Sequence, residues 1–261
     1  MNCQEIARAL SKQSPLPALA QEHVKNCRRC QEFVNALNPP EPEDRPSPET
    51  LRQIAGSISA NLRPVRPIAP VAHFIGSFLG IFALIAAAIG YGMGAFAIGV
   101  MTRLQISTIF IALAVSSAVL AYSLAHQMVP GSYHRFPPRL LPFGITIGLS
   151  ITTAIVFHFQ QEPLFWAGSW PCIRAGIPIA MLASVPFFLI MRRGVVLAPR
   201  MTGAATGLLA GLVGTTVLEI HCQNLDAWHI LASHIGVAIL CALAGLAIGW
   251  AVEVRATVSS T

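Results

Sequence analysis

From Val71 onward the chain carries one apolar stretch after another, each about 17 to 25 residues long, and nothing else in it constrains the fold so strongly. A hydrocarbon core roughly 30 Å thick is crossed by a helix of about that length, because each residue rises only about 1.5 Å. Backbone polar groups find no water there and must pair within their own segment, so the stretches read as helices and not as open strands. They fall at residues 74–98, 106–125, 140–157, 175–191, 202–220 and 230–252. The fourth is short and contains Pro178 and Pro186, which are expected to kink it. The expected fold class is all-α: a six-helix transmembrane bundle over residues 74–252, preceded by a small helical N-terminal domain.

Charge is divided just as unevenly. Residues 1–70 hold nine of the 17 Lys and Arg and seven of the 11 Asp and Glu, which leaves 12 charges for the remaining 191 residues. Overall 54% of the chain is hydrophobic and 11% charged, against about 25% charged in ordinary soluble domains. The opening "MNCQEIARALSKQSPLP" has no continuous apolar run of the kind a signal peptide needs, so the first region is not expected to be exported. Nine bases there stand against seven acids, with Phe33 the one aromatic residue among them, which speaks against direct nucleic-acid binding.

Basic residues flanking spans stay on the cytoplasmic side. With six spans, 15 Lys and Arg fall on one side, among them Arg135, Arg139, Arg192, Arg193, Arg200 and Arg255, and two, Arg103 and Arg174, on the other. Both termini are therefore expected in the cytoplasm. Gly203, Gly207 and Gly211 line one face of the fifth stretch, and Gly245 and Gly249 repeat the spacing in the sixth, as in helices that approach closely. Trp166, Trp170, Trp228 and Trp250 fall near span ends, where interfacial aromatics belong. Glu219 is the one acid near a span, at its expected boundary, and no series of intramembrane charges marks a pore.

The segment "QEHVKNCRRCQEF" places His23, Cys27 and Cys30 at i, i+4 and i+7. On a helix over residues 17–30, opened by Pro17, these lie within about 60° of one another around the axis. Cys3, on a short helix near residues 2–12, supplies a fourth ligand by folding back through the Ser14-Pro15 turn. Three thiolates and an imidazole make a closed tetrahedral site of the kind that holds structural Zn2+. The plain alternative is two small helix-face cysteines and a solvated histidine. A reduced cytoplasm favours metal over a disulfide, and a segment this small needs a staple to fold.

Residues 1–37 are thus expected to form a zinc-stabilised helical domain, followed by the Pro-rich linker 38–46. An amphipathic helix is expected over 47–63, with Ser47 as N-cap, Pro48 in the first turn and Glu49 where the helix dipole favours an anion. Its apolar stripe is Leu51, Ile54, Ile58 and Leu62. That stripe can pack on the zinc helices, dock in a partner's groove or lie on the membrane. A second linker spans 64–73, and a cytoplasmic tail covers 253–261.

The pattern "HVKNCRRC", with Cys3 upstream and a Pro-initiated amphipathic helix downstream, resembles the zinc-binding anti-sigma domain. That resemblance implies Cys3, His23, Cys27 and Cys30 as ligands and residues 47–62 as a detached helix that helps clamp a sigma factor. Farther on, "WPCIRAGIP", "RRGVVLAPRMTGAATGLLAGLVG" and "EIHCQNLDAWHILASHIGVAILCALAG" are similar to the six-span NrsF-like family. These are negative regulators of extracytoplasmic-function sigma factors, so both halves imply one role.

Topology also groups Cys172, in the expected outer loop after the third span, with Cys222 in the outer loop after the fifth, beside His221 and near Asp226 and His229. The two thiols can bridge in an oxidising compartment, capture a thiophilic metal together with the imidazoles, or be inert buried cysteines. Cys241, in mid-span, is expected to be a packing residue. The resulting expectation is a bacterial inner-membrane anti-sigma factor, not an enzyme, whose partners are an extracytoplasmic-function sigma factor and the lipid bilayer. A six-span transporter or membrane enzyme with an accessory zinc domain is the rival, and the shortage of intramembrane charges and nucleophile–base pairs weighs against it.

Overall fold

The computed structural model describes Cys3, Ile6 and residues 18–37, 46–61, 69–129, 137–160, 165–194, 196 and 198–258. The chain separates into two compact units, Met1–Arg66 and Pro67–Thr261. Among the described residues every regular element is helical. Pro17, Leu62, Arg135 and most of the linkers 38–46 and 64–73 lie outside the described residues.

In the first unit, α1 (Ala18–Asn26) and α2 (Arg28–Leu37) take the place of the single helix expected over 17–30. Cys27 is the non-helical joint between them, and its carbonyl accepts the backbone N–H groups of Cys30 and Gln31, both at 3.0 Å. The break turns Cys27 and Cys30 around the start of α2, so the two thiols converge without one continuous helical face. Cys3 and Ile6 are themselves helical, and Ile6, Ala20 and Cys30 form the small buried core. The third helix, α3 (Pro48–Asn61), starts as its sequence dictates, with the Thr50 N–H donating to Ser47 Oγ at 3.1 Å. From Pro48 to Ala60 every residue is exposed, so Leu51, Ile54 and Ile58 of its apolar stripe are not packed on α1 and α2.

Among the described residues the second unit holds six apolar helices, besides a 3-10 turn at Ala97–Gly99: α4 (Val71–Met93), α5 (Arg103–Met128), α6 (Leu141–Val156), α7 (Phe165–Met191), α8 (Pro199–His221) and α9. The last of these is built in three pieces that follow without a gap, Ala227–His229, a π-helical turn Ile230–Ile235 and Gly236–Val258. Among the described residues five segments are long and apolar enough to cross a membrane: Val71–Met93, Arg103–Met128, Gly168–Met191, Pro199–His221 and Ala227–Arg255. The stretch expected at 140–157 is helical as α6, but its 16 residues reach only about 24 Å. The stretch expected to begin at 175 starts ten residues earlier, because the helix continues through Pro171 as well as Pro178 and Pro186. Cys172 therefore sits on α7 and not in a loop.

Contacts sort the helix ends into two groups. At one end, Gln105 Nε2 donates to the Val156 carbonyl (3.4 Å), Ala227 N–H to the His158 carbonyl (2.9 Å) and Gln160 N–H to Asp226 Oδ1 (2.6 Å). At the other, Thr202 Oγ1 donates to Gln127 Oε1 (2.8 Å) and Arg200 pairs with Glu253 (2.7 Å). α5 enters at the first end through a capping box: Gln105 N–H donates to Thr102 Oγ1, and Thr102 N–H to Gln105 Oε1. At that same end Gly94 closes α4 with φ +91°, a conformation costly for any residue with a Cβ.

α8 is the central helix. From Thr202 to Glu219 every residue is buried except Gly203 and Gly207, which are half-buried. Its neighbours expose large apolar side chains such as Leu84, Ile111, Ile147, Met181 and Ile248, the outward apolar surface that suits lipid and not water. Across the α8–α9 seam the backbones nearly touch: a Cβ on Gly203 would meet the Gly245 carbonyl, one on Gly207 the Cys241 carbonyl, and one on Gly249 the Pro199 carbonyl. The face of α8 that carries the glycines is thus fixed against α9.

Two candidate metal centres

In the first unit, Cys3 Sγ lies 3.5 Å from His23 Nε2 and 3.8 Å from Cys27 Sγ. With Cys30 these make a group of four ligand atoms all within 4.8 Å of one another. A tetrahedral zinc with Zn–S of about 2.3 Å and Zn–N of about 2.0 Å sets S···S edges of about 3.8 Å and S···N edges of about 3.5 Å. The two edges from Cys3 have those lengths and every other edge is within 4.8 Å, so the residues present fit the ion. The Cys27 thiol is lowered to about 7, first by the Cys30 backbone N–H and then by the Cys3 side chain, whereas burial pushes Cys30 up to about 11. Of Cys27 and Cys30, Cys27 is the thiol that ionises first, and thiolates are what a zinc ion binds.

The second unit holds another group of four, Cys172, Cys222, His229 and His234, again with ligand atoms within 4.8 Å of one another. Cys172 comes from α7, Cys222 caps the end of α8, and both histidines stand on α9. The two sulfurs are 3.4 Å apart and unbonded. Cys222 Sγ lies 3.4 Å from His229 Nε2, while His229 Nδ1 meets Ser169 Oγ at 3.3 Å. Cys222 is held far below the ordinary thiol range, chiefly by the hydrogen bond from Cys172 and then by that from His229.

Of the sequence-expected set, the fold brings Cys172, Cys222 and His229 together and leaves His221 out. The His221 Nδ1 instead faces the Gly94 carbonyl at 3.2 Å, with its ring against Phe96. His234 takes the fourth place, a residue that sequence spacing did not select. Five residues apart, His229 and His234 would point about 140° away from each other on an ideal α-helix. The π turn absorbs one residue, so the two rings meet with centroids 5.3 Å apart. Asp226 fixes the start of α9, its Oδ2 accepting the His229 N–H at 2.9 Å and its Oδ1 the Gln160 N–H. Glu219, two residues before the end of α8, is 1% exposed and bonded through Oε1 to His234 Nδ1 at 2.8 Å.

Apolar helices that expose large apolar side chains, with thiols and imidazoles gathered at one end, are the build of a membrane protein that carries a group of side chains able to hold a soft metal ion. Residues 58–252, about three quarters of the chain, match the family NrsF, negative regulator of sigma F, and the chain belongs to that family. It is accordingly a negative regulator of a sigma factor. No curated protein and no solved structure matches the chain. The matched region contains the second group of ligands and stops short of the first.

Proposed function

We propose that the protein is an anti-sigma factor of the bacterial inner membrane that holds an extracytoplasmic-function sigma factor through its zinc-bound N-terminal unit. The observation that carries this reading is α3, whose Leu51, Ile54 and Ile58 are 53%, 47% and 56% exposed in a chain that belongs to a sigma-regulating family. An apolar stripe left open to water on a short, capped helix is a surface built to be covered, and Leu62 extends the same stripe in sequence. Zn2+ at Cys3, His23, Cys27 and Cys30 supplies structure and no chemistry: the four residues cross-link α1, α2 and the N-terminal segment so that the unit keeps one shape. The protein is a regulator and not a catalyst.

Changing Ile54 and Ile58 together to Asp should weaken sigma binding at least tenfold while zinc content stays at the parental level, because an ionised carboxylate on an apolar interface is costly to desolvate. Unaltered affinity in a direct binding assay with the full chain would make α3 a spacer.

In this reading α6 is the third of six spans, made sufficient by its flanking residues, and both termini are cytoplasmic. Support comes from the alternation of helix ends and from the arginines. Arg192, Arg193, Arg200 and Arg255 belong to the end that carries the Thr202–Gln127 contact, Arg103 to the opposite one. Reporter fusions after Thr261 and at Gln160 should therefore report opposite compartments, and agreement between them would refute the span count.

The input is chemistry at the paired thiols on the outer side. Cys172 and Cys222 either capture a thiophilic cation with the neighbouring imidazoles, or lose two protons and two electrons to an external oxidant and close a disulfide. A tenfold change in free sigma factor needs only about 1.4 kcal/mol of coupling between that site and the cytoplasmic unit.

A further inference from the structure

We infer that Glu219 is the positioning residue that makes His234 a metal ligand, so that the outer site takes a divalent thiophilic cation with two sulfur and two nitrogen donors. The inference rests on the reading that this cluster binds metal, and it adds the part that decides how many ligands the metal finds.

A carboxylate and an imidazole, each 1% exposed, face one another inside the bundle. Burying both is costly unless each has a partner or a task. Glu219 Oε1 occupies His234 Nδ1 at 2.8 Å. His234 Nε2 is buried and has no hydrogen-bond partner. A ring nitrogen of His234 is among the four ligand atoms that lie within 4.8 Å of one another, and with Nδ1 taken by Glu219 the nitrogen left to ligate is Nε2. A carboxylate can only accept, so the proton of a neutral imidazole stays on Nδ1 and the lone pair on Nε2 is presented to the thiols.

The backbone is held by the same helix. Thr215 Oγ1, one turn before Glu219 on α8, donates to the His234 carbonyl at 2.8 Å, and the π turn supplies the rotation that brings the ring round. α8 thus grips His234 at both its main chain and its side chain. His229 is built on the same plan, with Nε2 toward Cys222 and Nδ1 toward Ser169 Oγ. Two imidazoles that aim one nitrogen at a thiol pair and rest the other on a buried oxygen have the outer-shell arrangement of metal-binding histidines. The difference between them is charge: a hydroxyl supports His229 and a carboxylate supports His234.

The test is Cd2+ binding by the full chain in detergent, carrying Cys27→Ser and Cys30→Ser so that the first cluster is silent. Thiolate-to-cadmium absorption gives the affinity, and X-ray absorption counts sulfur and nitrogen donors. The parent should bind one cadmium with two of each. Glu219→Leu should bind about 10- to 100-fold more weakly, with one nitrogen fewer. Glu219→Gln keeps an oxygen that accepts the Nδ1 proton, so both nitrogens should remain, with affinity about tenfold down as the imidazole loses basicity. Should the leucine variant fail to accumulate, the glutamine variant decides alone. Parental affinity and donor count in whichever variant folds, even with a lowered unfolding temperature, would reduce Glu219 to a staple between α8 and α9 and overturn the inference. A parent that binds no cadmium would overturn the metal reading together with it.

Discussion

Changing both Cys27 and Cys30 to serine should leave the N-terminal unit without zinc and unfold α1 and α2, while the helices of the bundle persist. The described core of that unit is Ile6, Ala20 and Cys30, and the full burial of a side chain like Ile6 contributes about 1.5 to 3 kcal/mol. Ordering the backbone of the two helices costs on the order of 1 kcal/mol per residue, far more than such a core returns. In the proposed reading a zinc ion supplies the difference, since its binding in small structural sites is worth roughly 10 to 16 kcal/mol at neutral pH. Metal analysis combined with hydrogen exchange over residues 18–37 checks this. Helical protection retained in a zinc-free variant would show that the unit folds without its clip.

Gly207→Leu should remove most folded protein from the membrane and lower the unfolding temperature of what remains by about 10 °C or more. Overpacking in a core costs about 1 to 3 kcal/mol when the neighbours are side chains that can turn aside. Here the obstruction is the Cys241 carbonyl and the Ala242 Cα of α9, which cannot move without separating the two helices. Separation at Gly207 would also open the contacts of Gly203 with Gly245 and of Gly211 with Ala238 along the same seam. Gly76→Ala is the matched control, since an added Cβ there meets nothing within 4 Å. Thermal unfolding of both variants in detergent should separate them clearly. Equal stability would mean that the seam is not what holds α8 and α9 together.

The mechanism proposed for signal input depends on that seam as well. α8 carries Thr215 and Glu219 at the end that holds the second cluster and Arg200 at the other, where it pairs with Glu253 of α9. A change in the grip on His234 acts on the two helices that are packed backbone to backbone, so a displacement at the ligands has little side-chain slack in which to be lost.

How much of this was readable beforehand depends on the range of the interactions involved. The apolar stretches announced six helices because lipid forbids unpaired backbone whatever the fold, and α4 to α9 lie where those stretches lie. Ser47 announced the start of α3 because a cap is a contact over three residues. The grouping of His23, Cys27 and Cys30 was also local, although the chain reaches it by breaking the helix at Cys27 instead of continuing it. In the second cluster, by contrast, nearness to Cys222 in the chain favours His221 and passes over His234. His221 turns instead to the Gly94 carbonyl at the end of α4, a partner 127 residues away. His234 is brought in by a π turn that has no local sequence signature: it is held by Thr215 and Glu219 of another helix and by glycines that lock α9 in place farther along. By itself, then, the sequence determined the membrane class, the helices and the thiols, since these follow from solvent and short-range geometry. Only tertiary packing decided which histidine joins the thiols and that Glu219 stands behind it, because a one-residue shift in helical register is chosen by neighbours that are distant in the chain.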